Sequence, residues 1–138
     1  MYASDTSKQE ELIRTINTDF WNSRVFVERQ AYIYMAASVM NSNSTLFSTH
    51  MKSNFWKMSR DRVWNVRIVL SKLLNEHINN NGEFYFDHEV NKALYLLKRD
   101  KDRDVHEQMA HITLTVGEEV IQKMIQDEQK DSMQEEPS

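Results

Sequence analysis

Cysteine is absent from this chain, and glycine and proline nearly so, with two of the first and one of the second among 138 residues. Without cysteine there are no disulfides, no thiolate metal sites and no cysteine nucleophile. Compact sheets need frequent turns, many with positive φ, so scarce glycine and proline predict long helices and few connections. An all-α chain is expected. No apolar run is long enough to span a bilayer, and the first five residues lack a charged-then-apolar leader, so a cytoplasmic or nuclear protein with no membrane contact is expected. A formal net charge of -4 leaves too little positive charge for general phosphate-backbone binding, and no nucleic-acid partner is expected.

The composition, 40% hydrophobic and 28% charged, suits one domain with a substantial core, placed at residues 1–129 and followed by a disordered acidic tail at 130–138. The first helix is predicted to start near Ser7 and to run unbroken through Met40, because Leu12, Ile16, Phe20, Ser23, Val27, Ala31, Tyr34 and Ser38 recur every three or four residues. Its second half is apolar on most faces and should be the buried end. Asn41 to Thr45, whose side chains bond their own backbone, should break it.

Residues 54–86 form the organising stretch. Phe55, Met58, Val66, Val69 and Leu73 make one stripe, interrupted at Arg62, and Trp56, Val63, Leu70 and Leu74 make a second. Two stripes imply a central helix, ended at Asn79 to Gly82 and followed by extended Phe84-Tyr85-Phe86. Arg60, Arg62 and Arg67 around Asp61 read as a solvated helix face. A last helix is predicted over residues 105–129, with Met109, Ile112, Val116, Val120 and Met124 facing the core and Gly117 inside it, where glycine costs about 1 kcal/mol against alanine. His106 and His111 stand five apart, not the four that would share a helix face for zinc, and His50, His77 and His88 are isolated.

The Tyr32-Ile33-Tyr34-Met35-Ala36-Ala37-Ser38 run, together with Asn54-Phe55, Ser59 and Asn81-Gly82-Glu83-Phe84-Tyr85-Phe86, resembles ferritin over roughly residues 12 to 86. The resemblance implies an antiparallel helical bundle, here with its fourth helix missing or supplied by a partner. It also implies a diiron site built from a Glu on the first helix, an E-x-x-H on the second and a Glu on the third. The matching positions hold Val27, Arg62, Asn65 and Gly117. None is a usable ligand, and a guanidinium at Arg62 repels divalent cations.

The resemblance therefore implies a non-catalytic, ferritin-like protein without a cofactor, acting through self- or hetero-assembly. The alternatives are an iron-storage subunit inside a mixed ferritin shell, with iron as cargo, and an unrelated three-helix adaptor. Because a missing fourth helix leaves apolar surface uncovered, a homodimer or a heteromer with a helical or ferritin-like chain is expected. Trp56, Val63 and Leu70 are the expected interface anchors, unless the segment at 87–99 folds back over the gap.

Overall fold

The computed structural model describes residues 2–80 and 87–135, with side chains for 7–78 and 87–131. The described residues form eight α-helices and no strand: α1 (Tyr2–Ile16), α2 (Phe26–Ser42), α3 (Ser44–His50), α4 (Lys52–Lys57), α5 (Trp64–Asn80), α6 (His88–Lys98), α7 (Arg103–Met109) and α8 (Glu118–Glu135). A π-helical turn (Asn17–Trp21) follows α1, and a 3-10 turn (Met58–Arg60) follows α4. The expected extended piece at 81–86 lies outside the described residues.

The long helices foreseen from periodicity are interrupted, each time by a polar side chain that takes over the backbone. The first breaks between α1 and α2. Ser23 Oγ accepts the Val25 amide at 3.1 Å and donates to Glu28 at 3.0 Å, while Arg29 Nη1 donates to the Ser23 carbonyl at 2.7 Å. The π-helical turn before this break is seated by three bonds: Asn17 Nδ2 to the His50 carbonyl, Tyr32 OH to Asn17 Oδ1, and Trp21 Nε1 to the Asn54 carbonyl. Burial pushes the Tyr32 phenol up, so it remains a donor.

The organising helix breaks at Asp61, whose backbone is extended at φ -58 and ψ 139. Its Oδ1 accepts the Val63 amide at 2.9 Å, a local turn that restarts the chain as α5. The arginines nearby are therefore not one solvated face. Arg67 is buried, Arg60 pairs with Glu128 at 2.8 Å, and Arg62 is exposed.

The expected last helix also divides, because residues 110–117 are not helical. Gly117 lies just before α8, its carbonyl accepting the Val120 and Ile121 amides, and a Cβ added there would meet nothing within 4 Å. It is neither a packing point nor an interior helix glycine. Among the described side chains of α8, Ile121 is buried, Val120 is exposed, and Met124 is half-buried. The helix continues through residues 130–135, where a disordered tail is expected, and 136–138 lie outside the described residues.

Asparagine and aspartate start the short helices. Asn43 caps α3 by accepting the Leu46 amide, Asp87 caps α6 through the Glu89 and Val90 amides, and Asp102 caps α7 through the Asp104 and Val105 amides. Burial pushes the Asp87 carboxyl up, but hydrogen bonds from Lys52 and from these amides outweigh it and hold the carboxyl below its ordinary range.

The core lies between α2, α5 and α6. It holds Tyr32, Ile33 and Ala36 from α2, Val66, Leu70 and Leu74 from α5, and Val90, Leu94 and Leu97 from α6. Phe47, Phe55 and Trp56 close one side in edge-to-face contacts, with ring centroids 4.7 to 6.4 Å apart. The segment at 87–99 thus folds back over α2 and α5 and completes the core. Burying these nine side chains stabilises the fold by about 1.5–3 kcal/mol for each fully buried large apolar group.

Two buried Arg–Asp pairs hold the interrupted pieces together. Arg29 and Asp61 meet in a bidentate pair at 2.7 and 3.0 Å, and Arg67 and Asp100 in another at 2.6 and 3.1 Å. Arg67 Nη1 also donates to the Asp61 carbonyl at 2.6 Å, joining the pairs into one chain across α2, the break at Asp61, α5 and the α6–α7 loop. Asp100→Ala is expected to destabilise the protein by about 3–5 kcal/mol, because Arg67 is left buried and unpaired, whereas the double change Arg67→Met and Asp100→Leu should recover most of the loss. Urea unfolding of the two variants checks this; equal destabilisation would show that the pair itself is not responsible.

Candidate association surface

The four positions aligned with the diiron ligands do not build a site. Val27 is exposed on α2, Arg62 is exposed in the break before α5, Asn65 is half-buried on α5, and Gly117 is exposed ahead of α8. Among the described residues there is no group of three or more histidines, aspartates or glutamates able to hold a metal ion. His106 and His111 turn to different partners, the Lys98 carbonyl at 2.6 Å and Asn75 Oδ1 at 3.1 Å.

The expected interface anchors sit elsewhere than on the surface. Trp56 and Leu70 are buried in the chain's own core, and Val63 is half-buried against it. They fell inward because the break at Asp61 turns α5 relative to the preceding residues and α6 packs over the gap. The chain's own helices thus bury both stripes.

A different apolar surface remains open. Phe26, Val27, Tyr34 and Trp64 are 37%, 56%, 57% and 43% exposed. On α2, residues 26, 27 and 34 lie within one or two turns of Gln30 on the same side, by their spacings of three, four and seven. Gln30 Nε2 donates to the Asn65 carbonyl at 3.0 Å, which fastens the first turn of α5, and with it Trp64, beside that side of α2. The start of α5 carries the ring outward because Trp64 follows directly on the Asp61 turn.

From Trp64 an open groove of about 710 Å³ runs between α5 and α7, with Ile68 and Lys72 on one wall and Asp104, Glu107 and His111 on the other. The surface thus has aromatic anchors at one end and a charged rim of mixed sign at the other. An exposed tryptophan and tyrosine beside a polar-rimmed groove is the composition of protein contact surfaces, where a few aromatic anchors carry most of the binding energy. Its lining holds no serine, threonine or cysteine among the described residues.

From the sequence alone, the aromatic rings of Tyr34 and Trp64 fit a core or an interface equally well. A local signal for Trp64 was present: it stands three residues after Asp61, where the preceding helical run ends. No helix among the described residues is long and apolar enough to cross a membrane. Comparison with protein-family models, curated proteins and solved structures finds no match to this chain.

Proposed function

We propose that this is a non-catalytic helical protein that works by association, with a second copy or with a helical partner chain. The observation that carries the reading is the exposed aromatic and apolar surface around Gln30, formed by Phe26, Val27, Tyr34 and Trp64. Exposed large apolar side chains grouped around one place on a surface mark interaction sites. The partner surface moves with the finding that Trp56 and Leu70 are internal: contact is made by the outward face of α2 and the first turn of α5.

A ferritin-like bundle is the finer form of this proposal. It is supported by the Tyr32 to Ser38 run and by the Asn54-Phe55 pattern. The breaks at 22–25 and 58–63 weigh against it, since a ferritin-like bundle keeps each helix continuous along its length. An adaptor built from short helices accommodates the same observations without that difficulty, and we favour it.

Trp64→Ala is expected to weaken association by about 2 kcal/mol, or roughly thirtyfold, with little change in unfolding temperature because the ring is partly exposed. Sedimentation equilibrium of wild type and variant measures it; a wild-type protein that stays monomeric and binds no helical chain through this face would contradict the proposal. For the absence of iron chemistry, ferrous iron added in air is expected to oxidise at the buffer rate. A saturable, protein-dependent rate would contradict the non-catalytic reading.

A further inference from the structure

A cavity of about 320 Å³ lies between the end of α2, α4 and the second half of α5. Residues 37, 40 and 41 share one side of α2, and residues 73, 76 and 77 one side of α5, by their spacings of three and four. The buried wall is made by Ala37 and Met40, by Phe55 and Trp56 from α4, and by Leu74. Asn41 and Glu76 are exposed and His77 is half-buried, so the polar lining stands toward solvent and the interior is apolar. Close-packed interiors hold few voids larger than a water molecule. An apolar cavity of about 150 Å³ takes one benzene ring, and on that scale this one has room for about two.

One polar group in the buried wall lacks what it needs. Trp56 is 3% exposed, and its indole N–H meets no acceptor among the described residues. Trp21, which is less buried, donates its N–H to the Asn54 carbonyl at 3.0 Å. A buried donor left unpaired costs about 1–3 kcal/mol, a cost that phenylalanine in the same place would not carry. Water inside the cavity is a poor remedy, because a buried water needs two to four polar partners and the rest of the buried wall is apolar. An acceptor carried on an apolar molecule supplies the missing bond without that requirement. Charge narrows the choice further: the described lining contains no lysine or arginine, and Glu76 is its one carboxylate. An anion drawn inside would be buried without a cation.

We propose that this cavity binds a small uncharged molecule about two rings in size, apolar except for one hydrogen-bond acceptor that takes the Trp56 N–H. Ala37 makes the room, since a larger side chain at that position of α2 would fill it. The site lies toward the ends of α2 and α5 that are far from Phe26 and Trp64, and the inference does not rest on the association reading.

The test titrates the full chain with acetylnaphthalene, an uncharged two-ring ketone, against ethylnaphthalene, which has the same shape without the acceptor, and naphthoate, its anionic counterpart. Heteronuclear NMR reads the indole N–H groups of the three tryptophans separately. Saturable binding of the ketone is expected, with the Trp56 N–H shifted and those of Trp21 and Trp64 unmoved. The hydrocarbon should bind about tenfold more weakly, the loss of one hydrogen bond, and naphthoate weaker still. Trp56→Phe should reduce the preference for ketone over hydrocarbon to about onefold, and Ala37→Leu should abolish binding of both. Trp64→Ala should leave binding unchanged. No saturable binding, equal binding of ketone and hydrocarbon by the wild-type chain, or binding that survives Ala37→Leu would overturn the proposal. So would a Trp56 N–H that exchanges with solvent as fast as the exposed Trp64 N–H in the ligand-free protein, since water from the open groove that Trp56 also borders on its α6 side would then already satisfy it.

Discussion

The fold depends on two arginines that reach aspartates across breaks in the helices. Arg29 and Arg67 are each almost wholly buried, each forms a bidentate pair, and they are linked through the Asp61 carbonyl. A buried guanidinium is tolerable only when its donors are satisfied, so these pairs fix where α2, the Asp61 turn, α5 and the α6–α7 loop meet. Apolar packing supplies the larger share of stability, yet it is tolerant of register. The paired charges supply the geometry.

α6 turns that geometry into a closed core. Its apolar side, Val90, Leu94 and Leu97, fills the space beside α2 and α5. Its polar side chains govern the C-terminal third: Asn91 Oδ1 accepts the Thr115 and Val116 amides, Lys98 Nζ donates to the Met109, Ala110 and Ile112 carbonyls, and Lys92 holds Glu128. Asn91 and Lys98 satisfy the backbone of the non-helical stretch at 110–117, which would otherwise leave polar groups unpaired near the core. One helix of eleven residues therefore both covers the core and carries the last third of the chain.

Much of this was legible in the residues. All-α architecture followed from scarce glycine and proline, and the buried second half of α2 followed from Tyr32 to Met40. The end of α2 was visible in the stretch Asn41 to Thr45. The helix breaks were not read, although Arg62 visibly interrupts its stripe and Ser23 stands where an apolar residue belongs in the first. Periodicity passes through a short interruption when the residues on either side keep nearly the same phase, and a capping serine or aspartate then looks like an ordinary polar face. Arg29–Asp61 and Arg67–Asp100 pair across 32 and 33 residues, which local spacing cannot reveal. The exposure pattern was missed for a related reason: placing Trp56 and Leu70 inside and Trp64 outside requires knowing that the chain turns at Asp61.

The turn at Asp61 distinguishes this protein from a bundle of long helices, and it decides that Trp64 is exposed while Trp56 is buried. Backbone NMR of the folded chain tests this most directly. Helical secondary shifts should stop after residue 60, with Asp61 extended and the Val63 amide protected by its carboxylate, and resume at Trp64. Unbroken helical shifts from residue 52 to residue 80 would contradict it, and would return Trp56 and Leu70 to the surface stripe of a continuous helix.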